Sequence, residues 1–203
     1  TRYSGIYKLN LRPKPGQQIQ NQHYQDQNKL HRWEMARDDE GKVWAGTNDG
    51  IIRFDLNSKS TLSLPPVLEN TINGLTLSVA FSQNKQWLWI GTVNRLFRYD
   101  LISGELISFN ERLGINQLNH IRLFVDSKDN LWVNSAHQGV LMVAPDGTAT
   151  HFHTGAPLPY KLPDNNIAQL AEATDGALWL ITGNSELLYK RPQDDFFTRL
   201  PLR

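Results

Sequence analysis

Two histidines one residue apart, His151 and His153, come closest in this chain to a metal-binding pattern. On a strand that spacing puts both imidazoles on one face. A structural zinc takes four ligands, however, and no third donor stands with them, so the pair reads as part of a surface strand and no metal is expected. His31, His120 and His137 have no Ser, Cys or Asp arranged with them in a catalytic motif. An HExxH pair, a nucleophile elbow and a phosphate-cradling glycine loop are all missing. No catalytic residue and no cofactor is therefore assigned.

What organises the chain is a repeat. Trp44, Trp89, Trp132 and Trp179 are separated by 45, 43 and 47 residues. Around them stand Val43-Trp44-Ala45-Gly46-Thr47, Leu88-Trp89-Ile90-Gly91-Thr92, Leu131-Trp132-Val133-Asn134-Ser135 and Leu178-Trp179-Leu180-Ile181-Thr182. A period of about 40 to 50 residues holding several short strands is the mark of a β-propeller blade. Apolar runs of four to six residues separated by turn residues give four strands per copy. In the first copy an inner strand opens at Asn28, Asp38 to Gly41 turn the chain, and the Trp44 strand runs back. Asn48-Asp49-Gly50 makes the next hairpin, followed by Ile51 to Asp55 and an outer strand from Ser60 to Leu64, which Pro65-Pro66 ends. The third copy repeats this from Asn119 and the fourth from Asn165, and the second is looser at its start near Asn73. No stretch holds helical periodicity over three turns, so the chain is expected to be all-β, about four four-stranded blades plus an N-terminal half blade.

The half blade comes from Gly5-Ile6-Tyr7-Lys8-Leu9-Asn10, which matches Gly50-Ile51-Ile52-Arg53-Phe54-Asp55 position by position. The expected division is 1–27 as outer strands of a preceding blade, then blades at 28–72, 73–115, 116–162 and 163–203. A propeller hides its edges only by closing its ring. The segment is thus expected to belong to a larger propeller, and to self-associate or meet further blades.

Composition sets bounds. The 203 residues are 39% hydrophobic and 20% charged, with net charge +1 and no cysteine. That suffices for a packed core and removes disulfide and thiolate chemistry. With no basic stretch interleaved with aromatics, nucleic-acid binding is not expected. No apolar run approaches the length of a membrane span, so no membrane contact by this segment is expected.

Trp-Ile-Gly-Thr at 89–92, with Asn28, Leu30, Gly41, Trp44, Gly46, Thr47, Gly50, Arg53, Phe54 and Asp55, and with Arg98-Tyr99-Asp100, resembles the two-component regulator propeller repeat. That resemblance covers nearly the whole chain. It implies the extracytoplasmic sensor region of a bacterial hybrid histidine kinase or diguanylate cyclase: a periplasmic, non-catalytic part of an inner-membrane protein. The chain departs from the repeat where Arg95 and Glu186 replace the hairpin glycine and Asn134 and Ile181 replace the strand glycine. These positions mark where side chains are available for binding. Asp39-x-Gly41-x-x-Trp44 also resembles the Asp-box turn of sialidase-type propellers, which is itself structural there.

In a propeller the turns between second and third strands, and the links from each outer strand to the next inner strand, gather on one face around the channel mouth. The longest links are expected at Arg12 to Asn28 and Gly155 to Asn165. Asn48, Asp49, Asn94, Arg95, His137, Gln138, Asn184 and Glu186 fall on that face and are the candidate ligand-binding residues. The expected ligand is a small molecule or glycan fragment. Two other classes remain open, a glycan-active or lyase-type propeller enzyme and a protein-interaction scaffold. The four repeated tryptophans are expected to pack between blades, not to stack on sugars.

Overall fold

The computed structural model describes residues 34–110 and 121–200, which lie in one compact unit, Arg32–Arg203. The expected strands at Gly5 to Asn10 and from Asn28, the link Arg12 to Asn28, and Asn119 lie outside the described residues.

The described chain is a β-propeller arc of four four-stranded antiparallel sheets, each ordered as its strands follow in sequence. Blade 1 holds β1 (Met35–Arg37), β2 (Val43–Thr47), β3 (Gly50–Asp55) and β4 (Ser60–Leu62). A short helix α1 (Pro66–Thr71) leads to blade 2, with β5 (Thr76–Phe81), β6 (Trp87–Thr92), β7 (Leu96–Asp100) and β8 (Leu106–Ser108). Blade 3 holds β9 (Arg122–Val125), β10 (Leu131–Ser135), β11 (Gly139–Val143) and β12 (Ala149–Phe152). Blade 4 holds β13 (Ile167–Glu172), β14 (Leu178–Thr182), β15 (Leu187–Lys190) and β16 (Thr198–Arg199).

The helix is the one element the repeat did not announce. The outer strand stops at Leu62, short of the expected Leu64 and before Pro65-Pro66. Pro66 then occupies the first helical turn, where its missing amide costs nothing and its fixed φ suits a helix. Six residues are too few to display a 3.6-residue period. Leu68, fully buried, and Ile72 fill the space between blades 1 and 2.

Alternation along the strands gives each blade two faces, and the core is the set of seams between a forward face and the next blade's back face. Trp44 and Ile51 pack on Val79, Phe81, Leu88, Ile90, Phe97 and Tyr99 of blade 2. Trp89 and Leu96 pack on Leu123, Leu131, Val133 and Leu141 of blade 3. Trp132, Val140 and Phe152 pack on Leu178, Leu180, Leu188 and Phe197 of blade 4. Edge-to-face rings reinforce these seams, Trp44 on Phe81 at 6.3 Å between centroids and Trp132 on Phe197 at 5.8 Å. Three of the four repeated tryptophans therefore pack between blades. Trp179, in the fourth copy, is half-buried and joins none of these clusters.

The glycine two residues after the tryptophan sets how closely blades approach. A Cβ on Gly46 would lie 2.4 Å from the Thr76 carbonyl oxygen of blade 2, and one on Gly91 would lie 3.0 Å from Ile121 Cγ2 of blade 3. Asn134 takes this place in blade 3 and donates from Nδ2 to the Ile167 carbonyl of blade 4 at 2.9 Å. Its side chain is thereby committed to the seam, which corrects the expectation that Asn134 is available for binding.

Two stability predictions follow from this geometry. Gly46→Ala forces a backbone carbonyl to move and is expected to cost about 1–3 kcal/mol, while Gly91→Ala, which meets only a side-chain methyl, costs less. Trp132→Ala is expected to cost about 3–5 kcal/mol. Urea melts of the three variants check the order, and a Gly46 variant as stable as the parent would mean the blade register is wrong.

Candidate functional site

The turns between second and third strands are built by the threonine that ends the tryptophan strand in blades 1, 2 and 4. Thr47 Oγ1 donates to the Gly50 carbonyl at 3.1 Å and accepts from the Asp49 amide at 3.2 Å. Thr92 repeats the pattern with Arg95, and Thr182 Oγ1 accepts from the Glu186 amide at 3.1 Å. A short polar residue closing its own hairpin leaves the tip side chains pointing outward.

The tips of blades 1 and 3 sit against the link that enters the next blade. A Cβ on Gly50, at φ +125°, would lie 2.2 Å from the Ile72 carbonyl oxygen, so glycine there is a packing requirement as well as a conformational one. Gly139 is in the same position in blade 3: its amide donates to the Asn165 carbonyl at 2.9 Å, and a Cβ would meet the Phe152 carbonyl oxygen at 2.1 Å. Blades 2 and 4 carry Arg95 and Glu186 instead.

Beside Arg95 lies a cavity, against the link that enters blade 2 itself. Thr71, Ile72, Asn73, Gly74 and Leu75 on the link, and Thr92 to Arg95 on the turn, surround about 310 Å³ of space floored by Phe97. Asn110 Nδ2 holds the turn by donating to the Asn94 carbonyl at 2.6 Å. The Arg95 guanidinium is exposed and forms no ion pair among the described residues. A guanidinium beside amide and hydroxyl groups can bind a carboxylate bidentately while the amides meet hydroxyls.

The other candidates are dispersed. Asn48 and Asp49 are exposed on the blade 1 tip and do not line this cavity. His137 is exposed at φ +62°, and its neighbour Gln138 offers its carbonyl to His151 Nε2 at 2.7 Å. Asn184 is exposed. Glu186 is half-buried and paired with Arg199 at 2.7 Å, a structural role on its own blade.

His151 and His153 do share a face, with ring centroids 4.4 Å apart. His153 Nδ1 accepts the Gly155 amide at 3.2 Å, and burial, then the neighbouring His151, hold its imidazole below the ordinary value. No group of three metal-ligating side chains occurs among the described residues.

Two groups escaped the sequence. A second hollow, of about 480 Å³, lies on the forward face of blade 4 between Trp179, Tyr189, Ala177, Arg191, Pro192 and Leu200. The other is Glu34, just before β1. Ser78 Oγ of blade 2 donates to its carboxylate, the Leu123 amide of blade 3 donates to it at 3.3 Å, and that amide also meets Ser78 Oγ at 3.0 Å. One side chain thus ties three blades at their inner edge. Sequence separations of 44 and 89 residues leave no local signal for such a contact.

No family model and no curated protein matches the chain. Its fold aligns with solved structures. One is the extracellular domain of a B. thetaiotaomicron protein designated a hybrid two-component system, BT4673, at TM-score 0.67 and 22% identity over 90% of this chain. It is similar in fold to a two-component extracellular domain. The extracellular domain of BT3049, so designated in the same organism, aligns at TM-score 0.62 and 18% identity over 83%. The WD40 repeats of RRP9 align at TM-score 0.58 and 13% identity over 85%. The chain spans 23% of the BT4673 domain, 24% of the BT3049 domain and 52% of the RRP9 chain. Among the described residues no helix is long and apolar enough to cross a membrane.

Burial raises the Glu34 carboxyl above its ordinary value, against the opposing effects of the Ser78 and Leu123 hydrogen bonds and the Arg122 charge. The folded chain then holds that proton more tightly than the unfolded chain. Its stabilisation is complete below about pH 4.5, the ordinary value, and is lost as pH rises through the raised folded value. Glu34→Gln keeps an acceptor for both donors and removes the titration. Denaturant melts between about pH 4 and 8 are expected to show the variant gaining on the parent as pH rises. A variant that loses ground over that range would show that Arg122 dominates the carboxylate.

Proposed function

We propose that this chain is a non-catalytic, extracytoplasmic sensor segment of a bacterial signal-transduction protein, and that it belongs to a larger propeller. Its ligand is a small acidic molecule or glycan fragment held at the Arg95 cavity. The cavity is the observation that carries the ligand reading: a charged group without an ion pair, beside Asn73, Asn94 and Thr71, in a volume at the lower end of the ~300–1,000 Å³ that small-molecule sites occupy. The sensor reading is supported by the fold likeness to extracellular domains of proteins designated two-component systems and by the repeat resemblance. The neighbours are extracellular, which supports a periplasmic placement, with the output domain and membrane anchor outside this chain.

In this reading Arg95 takes a carboxylate, as of a uronic acid, and the link residues Asn73 and Gly74 meet ring hydroxyls. Because the link enters blade 2 and the turn belongs to blade 2, a bound ligand stiffens the approach to one seam. That gives ligand binding a mechanical route to the neighbouring blade.

Thermal-shift measurements against a panel of acidic and neutral mono- and disaccharides test this. An acidic member is expected to raise the melting temperature of the parent, and Arg95→Ala, at an exposed tip, should leave unliganded stability within about 0.5 kcal/mol while removing the shift. A shift that survives Arg95→Ala would move the site elsewhere, and a panel without any response would reject the acidic-sugar ligand.

A further inference from the structure

Asn73-Gly74 is the single Asn-Gly pair in the sequence, and it lies on the wall of the Arg95 cavity. Asparagine is chemically labile where the next backbone nitrogen can reach its side-chain amide carbon. A following glycine gives that nitrogen the freest approach, because it has no Cβ and its backbone rotates most easily. Helices and strands prevent the attack by fixing the backbone and holding its amides in hydrogen bonds. Asn73 and Gly74 belong to neither, since they fall between α1, which ends at Thr71, and β5, which begins at Thr76.

The reacting groups are disengaged. Asn73 is exposed, and among the described residues neither its side chain nor the Gly74 amide has a hydrogen-bond partner. Other asparagines are held: Asn84 Oδ1 accepts from Ser82 Oγ at 2.7 Å, Asn130 Nδ2 donates to Asp126 at 2.9 Å, and Asn165 Oδ1 accepts the Thr154 amide at 2.7 Å. Nor does packing demand glycine at position 74. A Cβ there would meet nothing within 4 Å, and the residue lies outside the left-handed region, whereas at Gly46, Gly50 and Gly139 a Cβ would strike a backbone carbonyl.

We infer that Asn73 is a modification site: it deamidates without an enzyme, and the carboxylate formed pairs with Arg95 and closes the cavity to acidic ligands. The Gly74 nitrogen bonds to the Asn73 side-chain carbonyl carbon. The side-chain nitrogen leaves that carbon, takes the Gly74 amide proton and departs as ammonia, giving a cyclic succinimide. Water then adds to either ring carbonyl, whose bond to the ring nitrogen breaks, and the nitrogen regains a proton. Opening at the former side-chain carbon gives aspartate, and opening at the main-chain carbon gives isoaspartate. Both carry a carboxylate where a neutral amide stood, with no change of oxidation state and water as the co-reactant.

Arg95 lines the same space of about 310 Å³, is exposed and forms no ion pair among the described residues. The new charge therefore has a cation at hand, and a guanidinium engaged by the chain's own carboxylate is no longer open to that of a ligand. Amide loss runs one way in water, so the closure is permanent for each molecule. The reaction and the ion pair need no ligand, while the closure rests on the acidic-ligand reading of the cavity.

Peptide mapping by mass spectrometry, on the chain aged at mildly alkaline pH, tests the reaction. Acid is expected at Asn73 ahead of every other asparagine, as two chromatographic forms, and Gly74→Ala should slow its formation by at least about ten-fold. An intact Asn73, or a Gly74→Ala variant that reacts as fast as the parent, would overturn the modification. The Asn73→Asp variant carries the aspartate product. By NMR its carboxyl is expected to titrate below the ordinary value of about 3.9, and to return to it when Arg95→Ala is added. An ordinary value in the single variant, or no change on removing Arg95, would overturn the pair. For an acidic sugar that the parent binds, Asn73→Asp should lose at least about ten-fold in affinity, and equal binding would overturn the closure. Mapping and titration contain no ligand, so a sugar panel without any response would reject the ligand reading while those two results still judge the modification and the pair.

Discussion

Blades of a propeller must come close enough at their inner strands to exclude water, and in this chain that closeness is set by the residue two positions beyond the repeated tryptophan. At Gly46 the approach is so tight that a single Cβ would strike a backbone carbonyl of blade 2. At Gly91 it would touch a methyl, and at Asn134 the gap is wide enough for a side chain that bonds across it. The tryptophan fills the outer part of the same wedge, where the sheets splay apart. Small residue and large residue are thus two halves of one packing solution, and interiors at crystal-like density tolerate little variation in either.

Polar chemistry holds the wedge in place. Asp38 binds the Lys42 amide at 2.8 Å, the Trp44 indole and Arg53, whose guanidinium carbon lies 5.2 Å from the centre of the Trp44 ring. Burial opposes the Asp38 charge, but the Trp44, Arg53 and Lys42 hydrogen bonds together outweigh it and hold its carboxyl below the ordinary value. Asp126 binds the Asn130 amide and the Trp132 indole in the same way. The Asp-box likeness at Asp39 is accordingly a turn whose work is done one residue earlier, by Asp38. Blade 2 substitutes Ser82, which receives the Trp87 amide at 2.9 Å, and lays Arg98 over Trp87 at 4.4 Å. Blade 4 has no carboxylate at the equivalent position, and its tryptophan is the one left half-buried.

The hairpin tips show how one kind of drift yields two outcomes. Glycine at positions 50 and 139 lets the tip rest on the link into the next blade. Arg95 stands at the equivalent place in blade 2, and the polar cavity beside its tip lies against the link that enters blade 2 itself. Replacing the glycine with Glu186 yields an ion pair to Arg199 on the adjacent strand and no cavity lined by that residue. The difference lies in the partners: Arg95 faces a link with no carboxylate among the cavity residues, whereas Glu186 has a cation within reach.

The sequence by itself determined the period, the strand order and the burial of Trp44, Trp89 and Trp132, because a unit copied four times repeats its alternation and its turn residues at fixed offsets. It also marked the tip positions, since turn chemistry is local. It did not separate Trp179 from its three counterparts, because the identity of a residue does not say whether another sheet lies against it. It did not foresee α1, six residues long, or the Glu34 contact with Ser78 and Leu123 across three blades. Nor did it distinguish Arg95, which borders a cavity, from Asn48, His137 and Asn184, which do not. Those outcomes depend on which link or strand the arc brings beside each residue, and such contacts between distant segments are settled only when the tertiary structure closes.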